Sequence, residues 1–98
     1  MRGIVWGSVF ATAAWQLEKI EADYNFIGIQ ATIKRQHPNK LEIEFSNGDY
    51  WCAIGASDSA RGRKCNVSYI DHNISEEIVQ CLILPCTRAL PFTAHKYY

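Results

Sequence analysis

Along the chain the apolar positions change their spacing several times, and each change marks an element. Residues 3–10, GIVWGSVF, are a short and mostly apolar run without strict alternation. Such a run fits a strand buried on both faces, as in a parallel sheet. Thr12 then reads as a helix N-cap. Ala13, Leu17, Ile20 and Tyr24 follow at offsets of four, seven and eleven, which is one face of a helix over 13–24. On its other side Lys19 and Asp23 are spaced to pair at i,i+4, and Asn25 is a stop signal. Residues 27–34, IGIQATIK, have mixed strand character. The polar stretch 35–40 around Pro38 reads as a loop.

The clearest pattern is LEIEFS-NG-DYWCAI over 41–54, two strand-like runs around Asn47-Gly48. A two-residue turn there predicts a β-hairpin. Counting back from that turn pairs Phe45 with Tyr50, Ile43 with Cys52 and Leu41 with Ile54, so those six share one apolar face. Trp51 then falls on the polar side beside Glu44, where it must be covered by a neighbour or used for contact. A Gly/Ser-rich loop (55–64) follows. CNVSYID (65–71) reads as a strand ending at an acid. Ser75 is placed to cap a short helix over 76–83, with Glu76 and Glu77 in its first turn, and Pro85 to end it. The tail CTRALPFTAHKYY carries no clear period. Two strands each followed by a helix predict one α/β domain over 1–98. Its sheet is small and mixed, with a parallel core, an antiparallel Asn-Gly hairpin and two or three helices.

Composition narrows the function classes. Ten Lys+Arg balance ten Asp+Glu, so the formal net charge is +0, which argues against a general nucleic-acid binder. No apolar run reaches the length of a membrane span. The first 14 residues loosely imitate a secretory leader, but a lone Arg2 precedes the apolar run and Gly7 and Ser8 interrupt it. The expectation is therefore a cytoplasmic protein with reduced thiols and no membrane contact.

The stretch 41–79 resembles the middle of a phage terminase large-subunit ATPase. The residues that carry the resemblance are IEFSNGDYWCAIGAS (43–57), the Ser59-Ala60-Arg61-Gly62 loop, and NVSYID (66–71) with Ile74 and Glu77 after it. The strand and helix over 3–24 also resemble the unit before this hairpin in that family. The resemblance implies an ATPase-type fold in which Asp71 stands at the Walker B acid. The departures are equally clear. No G-x-x-x-x-G-K-S/T occurs, and His72 occupies the position of the catalytic Glu. Both the phosphate cradle and the water-orienting base are then missing, so the expectation is a protein that is not an enzyme. A small phage-related chain without catalytic motifs resembles proteins that bind and block a larger host machine. Inhibitors of a host CRISPR effector nuclease (anti-CRISPR proteins) are the example. The alternatives are a truncated DNA-packaging ATPase module that needs a partner chain for its phosphate loop, and a small zinc-dependent nucleic-acid-binding domain.

Candidate chemistry rests on few residues. Cys81 and Cys86 stand either side of the helix-ending Pro85, and with one or two of Cys65, His72 and Cys52 they could hold a structural zinc. The competing reading is ordinary buried thiols. Cys65 and His72 lie at opposite ends of one strand, too far apart to share a metal. Asp71-His72 is either a site at a strand's C-terminal end or a plain turn. Trp51, the basic side chains of Arg61, Arg63 and Lys64, and the terminal Tyr97 and Tyr98 are the candidate contacts for a protein partner.

Overall fold

The computed structural model describes residues 1–57, 63–86 and 94–98. Its strands are β1 (Arg2–Gly7), β2 (Ala31–His37), β3 (Lys40–Phe45), β4 (Tyr50–Gly55), β5 (Val67–Ile70) and β6 (Ala94–Tyr97). Helix α1 (Phe10–Phe26) follows β1, and α2 (Glu76–Ile78) follows β5. The strands form one mixed sheet in the order β2-β3-β4-β1-β5-β6. β4, β1, β5 and β6 run parallel, and β3 and β2 add an antiparallel flank. This is the expected α/β architecture with a parallel core. Among the described residues no helix is long and apolar enough to cross a membrane.

β1 sits at the centre because its run is apolar on both sides. Val5 faces one core layer, with Ala13, Leu17 and Ile20 of α1 and Leu41, Ile43, Phe45, Trp51 and Ala53. Ile4 and Trp6 face the other, with Cys52, Ile54, Cys65, Ile70, Val79, Leu82, Ile83 and Cys86. The helical face read from the sequence is the one α1 buries: Ala13, Leu17 and Ile20 are covered and Tyr24 is half-buried. Its start differs. The strand ends at Gly7, the N-cap is Val9 without a side-chain capping bond, and Thr12 lies inside the helix. Lys19 places its ammonium 3.5 Å from the centre of the exposed Trp15 ring, one turn earlier, a cation–π contact in place of the expected Asp23 pair.

The hairpin corrects the expected register. Phe45 and Asp49 close a three-residue loop, with Phe45 N–H donating to Asp49 O (2.8 Å) and Gly48 N–H to Phe45 O (3.0 Å). Gly48 takes the positive φ (+93°), and no non-glycine residue among those described does. A two-residue turn of the expected kind would need both Asn47 and Gly48 at positive φ. The extra loop residue shifts the pairing by one, to Ile43 with Trp51, Glu42 with Cys52 and Leu41 with Ala53. A one-residue shift turns β4 over. Trp51 therefore lies under α1 and is 3% exposed, instead of standing on the polar side. Its ring lies against β1 at Gly3, where an added Cβ would come within 2.4 Å of the indole. Cys52 and Ile54 move to the opposite layer.

The remaining differences lie at the margins. Residues 35–40 form no open loop: β2 extends to His37 and turns through Pro38-Asn39 into β3. Ser75 caps α2 as expected, its hydroxyl accepting from Ile78 N–H (3.4 Å). α2 then widens to a π-helical turn (Val79–Ile83) and tightens to a 3-10 turn (Leu84–Cys86), so Pro85 lies inside the helical segment and does not end it at 83 as expected. The tail supplies β6, parallel to β5.

Candidate functional site at the strand ends

In open α/β sheets, chemistry gathers outside the carboxyl ends of the parallel strands. Here β1, β5 and β6 bring Ser8, Asp71, His72 and Tyr98 to that edge. Asp71 follows the last residue of β5 and is 1% exposed. Its Oδ2 accepts from the Ser8 N–H (3.0 Å) and the Ser8 hydroxyl (2.8 Å), and its Oδ1 from the Asn73 N–H (2.9 Å). Its own N–H donates to Trp6 O (2.9 Å). Burial works to raise the Asp71 pKa, but the bonds from Asn73 and Ser8, with the charge of His72, outweigh it and hold the carboxyl below its ordinary value. The carboxylate thus ties the β1–α1 turn to the β5 end.

His72 lies beside this acid at the surface. Its Nδ1 donates to the Tyr98 carbonyl (2.8 Å), 3.7 Å from Asp71 Oδ1, and 72% of its side chain is exposed. Tyr98 is half-buried, and its hydroxyl donates to Trp6 O (2.9 Å). Burial and the neighbouring Asp71 charge both push its pKa up. The arrangement holds an ionised acid in fixed geometry, but both of its oxygens are already engaged by the chain. Sequence reasoning found the strand-terminal acid. It missed Ser8, which sits inside an apolar run and meets Asp71 only through the fold.

The proposed zinc ligands separate. Cys52, Cys65 and Cys86 are buried in one apolar layer, whereas Cys81 is exposed. Val79, Leu82, Ile83 and Cys86 form the inner face of their helical segment, and Cys81 falls on the outer one. Cys65 meets the Ser68 hydroxyl at 3.3 Å, and the Cys86 thiol donates to Leu82 O (3.3 Å). Burial pushes the Cys52 pKa up to about 11 and raises those of Cys65 and Cys86. Thiols in such surroundings stay protonated and inert. Among the described residues no three Cys, His, Asp or Glu side chains converge as a metal-holding group.

The proposed partner contacts also divide. Trp51 is buried, its indole N–H donating to Tyr24 OH (2.9 Å), which donates to Asp49 Oδ2 (2.7 Å). Burial is the main reason that the Tyr24 pKa rises to about 12. Arg63 is half-buried, Lys64 and Tyr97 are exposed, and Arg61 lies outside the described residues.

A scan against protein-family models and a search of curated proteins find no match. Solved structures do match. The large terminase of a thermophilic bacteriophage superposes in one crystal form with TM-score 0.69 at 14% identity and in another with 0.70 at 13%. Both superpositions cover 98% of this chain. They cover only 25% and 24% of the terminase, so the chain spans about a quarter of the structures it matches. At this identity the likeness is one of fold: the α/β sheet of this chain is that of a segment of a phage large terminase.

Proposed function

We propose that the chain is a non-catalytic module of the terminase ATPase type, which works by contact with a second polypeptide and not by turning over nucleotide itself. The observation that carries this reading is the state of Asp71. An acid that positions a metal must present an oxygen to it, and here the Asp71 carboxylate is 1% exposed and already accepts three bonds from Ser8 and Asn73. His72, one residue on, points its Nδ1 at a main-chain carbonyl. The missing G-x-x-x-x-G-K-S/T supports the same reading. In the truncated-module form of this proposal, a partner chain supplies the phosphate cradle. The narrower idea of a nuclease inhibitor loses Trp51 as a contact, because that side chain is buried.

The test is ATP hydrolysis with Mg²⁺ by the purified chain, alongside Asp71→Asn. No turnover above the buffer blank is expected from either. Turnover that requires Mg²⁺ and disappears in Asp71→Asn would overturn the proposal.

A further inference from the structure

A helix that lies on a sheet with water behind it should turn a polar face outward. α1 does not. Its buried Ala13, Leu17 and Ile20 and its half-buried Tyr24 follow at offsets of four, seven and eleven. The same spacing repeats two residues later in Trp15, Lys19, Ala22 and Phe26, and all four are exposed. A shift of two residues is about 200° around a helix, so this second line runs straight across from the first. Trp15 is 57% exposed and Phe26 91%, the highest value among the large apolar side chains described. Lys19 stays within the line, its ammonium 3.5 Å from the Trp15 ring centre. α1 therefore has two apolar faces, and the sheet covers one.

The residues of the outer line decide what fits it. Turned end for end against a second α1, the line matches itself. With a two-fold axis midway between residues 20 and 21, Trp15 faces Phe26 of the partner subunit and Lys19 faces Ala22 of the partner subunit, each contact made twice. This is the a-to-d pairing of an antiparallel two-helix seam. The aromatic rings close its two ends, and the small Ala22 lets the helix axes approach in the middle. Charge agrees with shape. Asp23 flanks the line on the Lys19 side, while Lys19 turns to Trp15 and not to Asp23 of its own helix. One residue past Ala22, Asp23 of the partner subunit comes within reach of Lys19, which gives two ion pairs related by the axis. On the other flank Glu18 meets Asn25 of the partner subunit, whose amide can donate to the carboxylate.

We propose that the outer face of α1 binds a second copy of this chain, helix against helix and antiparallel, through Trp15, Phe26 and the Lys19–Asp23 pairs. The area sets the strength. The exposed parts of Trp15 and Phe26 offer about 300 Å² per copy, where a standard interface takes about 800 Å² per partner. The dimer is therefore weak and forms at high concentration.

The experiment is sedimentation equilibrium of the full chain loaded from about 10 μM to about 1 mM, the range of a weak complex. Melting by circular dichroism shows that each variant is folded. A monomer–dimer equilibrium with a Kd inside that range is expected for the wild type, and monomer throughout for Trp15→Asp and Phe26→Asp. Lys19→Glu and Asp23→Lys should each weaken the dimer at least about fivefold, since each sets like charges across the axis. Mixed in equal amounts, these two variants should regain it, because both pairs are opposite in charge only in the mixed dimer. A wild type that stays monomeric, a dimer untouched by Phe26→Asp, or a mixture no tighter than its components would overturn the proposal. So would a monomer that sediments with phosphatidylcholine vesicles, which gives the face to a lipid surface instead. Nucleotide and Asp71 take no part in this association, so it and the ATP test can fail independently.

Discussion

Replacing Asp71 with Ala tests whether the strand-end acid holds the fold together. The substitution removes the acceptor for three hydrogen bonds, two from Ser8 and one from Asn73. Hydrogen bonds to a charged group contribute about 1.5–3 kcal/mol each. Ser8 and Asn73 are themselves exposed, so water replaces part of what they lose. A net loss of about 2–4 kcal/mol is reasonable for such a site. In a domain of this size each kcal/mol moves the melting temperature by about 4–8 °C, so Asp71→Ala should melt at least about 8 °C lower, followed by circular dichroism. The pH dependence has a definite sign. The carboxyl pKa is held below its ordinary value in the folded chain. Its stabilisation is therefore present above the unfolded value of about 3.9 and is lost as pH falls through the folded value. The difference between wild type and Asp71→Ala should be full at pH 6 and shrink on acidification. Melting within about 1 kcal/mol of wild type, or a gap independent of pH, would refute the reasoning.

Three further outcomes follow from the packing. Gly3→Ala places a Cβ 2.4 Å from the Trp51 ring and should cost about 1–3 kcal/mol, read as a lower urea midpoint with an unchanged slope. An unchanged midpoint would mean that Trp51 does not lie against β1. Of the four cysteines, Cys81 alone is exposed, so a thiol reagent at pH 8 should modify one site quickly and the other three only under denaturant. Chelation should leave the melting temperature unchanged, since no three ligand side chains converge among the described residues. A chelator-induced drop together with stoichiometric zinc would reverse that conclusion.

The parts of the fold legible in the sequence are those where burial imposes a period. The α1 face was readable because Ala13, Leu17 and Ile20 must all meet the sheet. β1 was readable because both of its faces are covered. The hairpin was readable in place but not in register. Tyr50, Trp51, Cys52, Ala53 and Ile54 are apolar on both faces of β4, so the pattern could not say which face meets Leu41 and Ile43. That choice fell to the loop, where Gly48 takes a positive φ and Asn47 does not. β2 and β6 are mostly exposed edge strands, and an exposed edge imposes little hydrophobic pattern. The strand-terminal acid was visible, but its partner Ser8 was not, because a hydrogen bond between the ends of two strands far apart in the chain leaves no local trace.

The position of β1 also constrains how the chain reaches this structure. Its Gly3 pairs with Trp51 on one side and Val67 on the other, so both neighbours of β1 come from much later in the sequence. Closing those long loops costs entropy before any pairing rewards it. The β3–β4 hairpin, with its short loop, can form early and locally, whereas β1 and α1 must wait for it. During synthesis the apolar β1 is therefore exposed until β4 and β5 have left the ribosome. This makes the interval before β4 appears the one in which the chain is most exposed to aggregation or to capture by a chaperone.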